Sequence, residues 1–196
     1  MTIIEIKPPN LQILELELFG TSPLICHAWS EKAKKQMLDK QMKKAVVGKE
    51  AKNPKQDYLD SLYPLPSPSK VRKTKFGFPA VAFKAAAVRA ASNLDITMVQ
   101  ARQMFHVLPD QGDLVEIVGT PTMREDMVRL NGKTADIRYR GEFKTWKTTL
   151  KIRYNADVIS DEQVVNLFNL AGFSVGIGEW RPERNGSFGC FSLIEE

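Results

Sequence analysis

The chain has 196 residues, 43% of them hydrophobic, with a formal net charge of +5 and a pI near 9.2. That length accommodates one substantial core with room for an insertion, so a single domain over residues 1–196 is expected. The longest apolar runs, such as Phe76 to Val88, are broken by Gly, Pro and Lys and fall short of the ~20 apolar residues of a membrane span. The start, "MTIIEIKPPNLQILELELFG", lacks the basic region, apolar block and cleavage site of a signal peptide, and a soluble, cytoplasmic protein is expected. Cys26 and Cys190 carry no CxxC spacing and are read as reduced, buried thiols.

In chain order, Leu11 to Phe19 alternates apolar residues with Glu15 and Glu17, which predicts a first strand stopped by Gly20 and Pro23. Ser30 to Val47 offers an N-cap serine, good helix formers and a stripe of Ala33, Met37, Met42 and Ala45, predicting a lysine-rich helix. From Asn53 to Lys75, four prolines and several serines predict a loop. Helix and loop together form an insertion over residues 30–75 after the first strand. Phe78 to Ser92 is an alanine-rich helix opened by Pro79, and a second helix follows over Thr97 to His106. Gly112 to Pro121 reads as a strand.

"NGK" at residues 131–133 suggests the tip of a hairpin, inserted over residues 120–144. Thr145 to Asp157 alternates Trp146, Leu150, Ile152 and Tyr154 with Lys147, Lys151 and Arg153, a strand with one apolar and one basic face. Ser160 and Gln163 make a capping box for a helix ending at Gly172 with the stripe Val164, Leu167, Phe168 and Ala171. "GSFGCFSLIEE" closes the chain as a final strand. The order βαββαβ predicts an α+β, ferredoxin-like (RRM-like) core with a helical and loop insertion after the first strand and a thumb-like hairpin after the second. That fold hosts many functions and decides none by itself.

The charge is clustered. Lys32 to Lys55 holds nine lysines against Asp39 and Glu50, and Arg124 to Arg153 holds nine basic residues against four acids. Clusters of this kind suit a polyanion, because each neutralised phosphate releases counterions; the alternative is a solvated face. Arg138 and Arg140 lie on the return arm of the hairpin, and Lys147, Lys151 and Arg153 on the basic face of the next strand, both facing phosphate in this reading.

The stretch "GIGEWRPERNGSFGCF" sets Gly176, Gly178, Gly186 and Gly189 among Trp180, Arg181 and Arg184. Glycine permits positive φ and close approach, exposed N–H groups receive phosphate oxygens, arginine supplies a fork of donors, and Trp180 a face for a base. The alternative is a bulged hairpin with Trp180 in the core. Neither GxGxxG nor GxxxxGK[ST] is present, so nucleotide hydrolysis has no support. His27, in "PLICHAW", is expected to pack in an apolar setting. It is also the single catalytic candidate, as general acid or base with Lys84 or Lys151. The spacing of Cys and His supports no metal site, and no cofactor is expected.

Three stretches, "ELFGTSPLICHAW", "GFPAVAFKAAAVRAA" and "AGFSVGIGEWRPERNGSFGCFSL", give the chain a resemblance to the repeat-associated mysterious protein (RAMP) superfamily. The type it is most similar to is the backbone subunit that lines guide RNA in CRISPR effector complexes. The resemblance implies that Lys84, Arg89, Arg181 and Arg184 contact backbone phosphate, that the 120–144 insertion is a thumb reaching toward a neighbouring subunit, and that copies polymerise along the strand. The compact length fits a stand-alone relative, carried by a mobile element or virus. The expected function is non-enzymatic binding of single-stranded RNA or DNA by a homo-oligomer, a filament or ring. The alternatives are a metal-independent RNA-processing endonuclease of the same superfamily and a protein-binding inhibitor or structural protein.

Overall fold

The computed structural model describes residues 7–44, 51–66, 74–130 and 134–195. The elements in order are β1 (Leu11–Gly20), β2 (Leu24–Cys26), α1 (Glu31–Gln41), α2 (Pro54–Asp60), β3 (Tyr63–Pro64), β4 (Phe76–Pro79), α3 (Ala80–Ala91), α4 (Met98–Met104), β5 (Phe105–Leu108), β6 (Leu114–Leu130), β7 (Thr134–Asn155), α5 (Asp161–Ser174) and β8 (Phe191–Ser192). The class is α+β, built on one antiparallel sheet of eight strands in the order β3-β4-β6-β7-β1-β8, with β2 and β5 also paired to β7. This sheet is larger than the four-stranded one expected: β3 comes from the 30–75 insertion, and β2, β4 and β5 are short strands in stretches read as a turn or as parts of helices.

β7 is the spine. One of its edges carries β1, from Leu11↔Asn155 to Phe19↔Lys147, then β2 at Leu24↔Phe143; the other carries β5 and β6. Its alternation places Trp146, Thr148, Leu150, Ile152 and Tyr154 inward, against α3 and α5. The alanines of α3 let that helix approach closely, and Phe83 meets Phe191 while Phe105 meets Phe168, with centroids 6.0 and 5.7 Å apart. Each fully buried Leu or Ile of this layer contributes roughly 1.5–3 kcal/mol.

Several expectations need correction. The lysine-rich helix ends at Gln41, and its stripe residues Met37 and Met42 are exposed; Ala45 lies outside the described residues. The expected loop over residues 53–75 contains α2, because Asn53 accepts from the Gln56 N–H and Pro54 sits in the first turn, where its missing N–H costs nothing. α2 docks on the hairpin, with Tyr58 donating to Pro121 O at 3.2 Å and Gly141 N–H donating to Ser61 Oγ at 2.7 Å. The helix expected over Thr97 to His106 stops at Met104, and His106 belongs to β5.

β6 and β7 run far beyond the short strands expected, as one continuous hairpin with a register shift between Gly119 and Pro121. The "NGK" tip lies outside the described residues. α5 continues past Gly172 to Ser174. Gly172 is instead a packing residue, where a Cβ would lie 1.9 Å from Phe191 O, so β8 crosses the helix there. The final strand is only Phe191–Ser192. Cys26 is buried while Cys190 is half-buried, and both are free thiols. No helix among the described residues is long and apolar enough to cross a membrane.

Candidate nucleic-acid interface

Between α3, α4 and residues 175–184 runs a groove of about 780 Å³. Phe78, Val81, Ala82, Ala85 and Val88 give it apolar walls, and Lys84, Arg89, Arg102, Arg181 and Arg184 bring cations to it from three segments. Its acids, Glu179 and Glu183, are both engaged within the chain. Glu183 Oε1 lies 3.3 Å from Arg89 Nε, and its Oε2 accepts from Arg181 Nε and Nη2 at 3.0 and 2.7 Å, so one carboxylate bridges helix and loop. A second groove, of about 580 Å³, sets Asp57, Asp60 and Asp136 beside Lys32, Lys52, Arg138 and Arg140, and suits a polyanion less well.

The glycine-rich segment is held from within. Gly176 follows α5 with φ +67°, and Gly178, at φ +79°, lies so close to β2 that a Cβ would sit 2.6 Å from Ile25 O. The N–H groups of Gly176, Ile177, Glu179, Glu183, Arg184, Asn185, Gly186, Phe188 and Gly189 donate to carbonyls of the chain itself. This narrows the expectation of N–H groups open to phosphate: most of the backbone donors are spent on holding the loop to itself and to residues 23–25, and Gly178, Trp180, Arg181 and Ser187 are not among those donors. What the loop offers are side-chain ends. Arg181 is partly committed, since Nη1 also donates to Gly178 O at 3.0 Å, while Arg184 is exposed.

Trp180 is no open platform for a base. Its backbone has φ +52°, its ring meets Phe188 with centroids 6.2 Å apart, and the guanidiniums of Arg124 and Arg140 lie 5.5 and 5.3 Å from its centroid. Arg140, expected on the surface, is 5% exposed, with Nη1 3.5 Å from Asp126 and Nη2 3.7 Å from Glu179. Arg124 completes the network, donating to Asp126 and Glu142 at 2.8 and 2.7 Å. Arg138 pairs with Asp136 at 2.9 Å. The charge of Arg124, Arg138 and Arg140 is therefore met by acids of the hairpin and by Glu179.

No protein-family model matches the chain, and no curated protein is similar to it in sequence. The geometry of the site carries the functional argument.

The basic face of β7 is also corrected. β1 lies beside it, so Glu17 accepts from Lys147 at 2.7 Å and Glu15 lies 3.9 Å from Lys151, leaving a charge-balanced surface. Arg153, opposite Ile13 on that face, has no acid partner among the described residues. His27 is exposed rather than packed, because β2 turns Cys26 inward and leaves the next residue outside. It lines the groove, with Nδ1 3.3 Å from Glu179 Oε1. That hydrogen bond is the chief reason the Glu179 carboxyl titrates below the ordinary value; burial works against it and Arg140 adds to it.

The imidazole beside Lys84 is that of His106, with Nζ 3.1 Å from Nδ1. Sequence reasoning missed His106, Arg102 and the bridging Glu183. The first two lie on β5 and α4, where only the change of period from helix to strand could have shown which way they face.

Proposed function

We propose that this chain binds single-stranded nucleic acid, RNA or DNA, without cleaving it, by gripping the phosphate backbone along the groove between α3 and the glycine-rich segment. The observation that carries the reading is the convergence of Lys84, Arg89, Arg102, Arg181 and Arg184 on one apolar-walled groove whose acids are internally paired. Apolar walls accept sugar and base faces while the cations take phosphate.

Support for a RAMP-type, ferredoxin-like core comes from the strand order. β1 and β6 both run antiparallel to β7 and flank it, and β7 and β8 flank β1, which is how two interleaved split βαβ units are arranged. Self-association along the strand is part of the reading, supported by exposed Met123, Met127 and Ile137 on the long hairpin.

The test is fluorescence anisotropy of labelled single-stranded RNA and DNA of one sequence over a salt series, for the wild type and an Arg89→Ala/Arg184→Ala variant. Binding with a steep salt slope, shallower in the variant by about 0.7 for each phosphate it no longer neutralises, supports the reading. Absence of binding to either strand at low salt removes it.

One observation favours a second reading. His27 lines the groove and is oriented by Glu179, as a general base for attack by a 2′-hydroxyl would be. In that case RNA and not DNA is cut without metal, and His27→Ala abolishes it. Intact RNA after prolonged incubation excludes it.

A further inference from the structure

Lys84 of α3, His106 of β5 and Arg153 of β7 come from three separate elements and meet at one edge of the sheet. An ammonium has no acceptor, so Lys84 donates to His106 Nδ1 across 3.1 Å and the neutral ring carries its proton on Nε2. Arg153 is the register partner of His106 across the β5–β7 pair. No carboxylate among the described residues joins them. The charged groups acting on His106 are Lys84 and Arg153, and burial together with these two cations holds its pKa below the ordinary imidazole value. Lys147 and Lys151 on the same strand make the contrast, each meeting a glutamate of β1.

Three basic groups gathered without an acid disfavour one another's charge, and an anion placed among them relieves all three. Lys84 also lines the groove, so the cluster continues the path of a bound strand.

We propose that Lys84, His106 and Arg153 form a phosphodiester site at the end of the groove, where His106 takes one proton from solvent as the anion binds. With phosphate present, Lys84 turns from Nδ1 to an anionic oxygen. The freed nitrogen is protonated, and both ring nitrogens become donors. The site rests on the nucleic-acid reading above and adds to it a proton-linked contact, with binding tighter in mild acid.

The experiment is an NMR titration of the two imidazoles, assigned by the resonance missing in His106→Gln. The probes are an abasic deoxyribose-phosphate hexamer, whose diesters do not titrate near neutrality, and separately inorganic phosphate. Anisotropy of a labelled single strand is followed in parallel at pH 6 and pH 8. The expected result is that the hexamer raises the His106 titration midpoint by about one pH unit, while strand affinity rises severalfold, and less than about tenfold, from pH 8 to pH 6. His106→Gln is expected to remove that pH dependence and Lys84→Gln to reduce the shift.

If the strand binds but the His106 midpoint does not move, the site is overturned and the groove reading stands. If the strand fails to bind while inorganic phosphate alone raises the midpoint, the anion site stands as one for free phosphate and the groove reading falls. If no probe moves His106 and no strand binds, both fall.

Discussion

Arg89 and Glu183 tie helix α3 to the glycine-rich segment, Nε to Oε1 at 3.3 Å, across the groove where a strand is proposed to lie. Glu183 also holds Arg181, so one carboxylate occupies two of the groove's guanidiniums in the free protein. Glu183→Gln releases both. Strand affinity at low salt is expected to rise severalfold, with the slope of log K against log salt steeper by about 0.7 for each further phosphate neutralised, as read by anisotropy. Unchanged affinity would mean that Arg89 and Arg181 do not meet the ligand.

Lys147→Ala/Lys151→Ala is expected to change strand affinity by less than about twofold, because each lysine is exposed and already faces a glutamate of β1; pairs of this kind are worth about 0–1 kcal/mol. Arg102→Ala, in the groove, is expected to weaken binding under the same conditions. A large loss in the β7 double variant would move the interface to the open face of the sheet.

Much of this was legible locally. The alternation of Glu15 and Glu17 on β1 and of Lys147 and Lys151 on β7 can be read directly, and so can the capping box of α5. That these two alternating faces become one neutral face depends on a pairing between residues 130 positions apart, which no short window contains. The same limit hid Arg140, whose acids belong to the opposite strand and to the segment after α5. Pro54 misled for a different reason: proline breaks a helix interior but is at home in its first turn.

Arg140 holds buried charge together. Arg140→Ala is expected to cost about 3 kcal/mol in denaturant unfolding, at the low end for a broken buried pair because Arg124 still serves Asp126. Its Nε and Nη1 have no hydrogen-bond partner, so the pair's geometry is poor. The double change Arg140→Met/Asp126→Leu is therefore expected to recover most of the loss. A double variant as unstable as the single one would show that the ion pair itself is strongly favourable.

Glu179 titrates below its unfolded value of 4.5, chiefly through the hydrogen bond with His27. A depressed carboxyl contributes stability that is present in full above the unfolded pKa and is lost as pH falls through the folded one. The wild type is expected to lose stability below about pH 4.5, and Glu179→Gln to lose less over that window, in urea unfolding between pH 7 and pH 3. Parallel curves for the two proteins would remove Glu179 from the acid limb.

Burial pushes the Cys26 thiol up to about 12 and leaves it unreactive, while Cys190 is half-buried. A thiol reagent at pH 8 is expected to modify one cysteine in the native protein and two in denaturant. Rapid reaction of both in the native state would show that β2 opens easily.

The glycine-rich segment directs most of its N–H groups to carbonyls of the chain, its own and those of Pro23, Ile25, Ala171 and Val175. Under the proposed reading, a strand then meets a pre-shaped rim of cationic side chains with little backbone left to read base edges. Such a rim registers how many phosphates pass along it and not which bases they carry, and it requires little ordering when the strand arrives. A protein gripping in this way coats a strand evenly, and the spacing between copies follows the length of the groove, whatever the sequence of the strand.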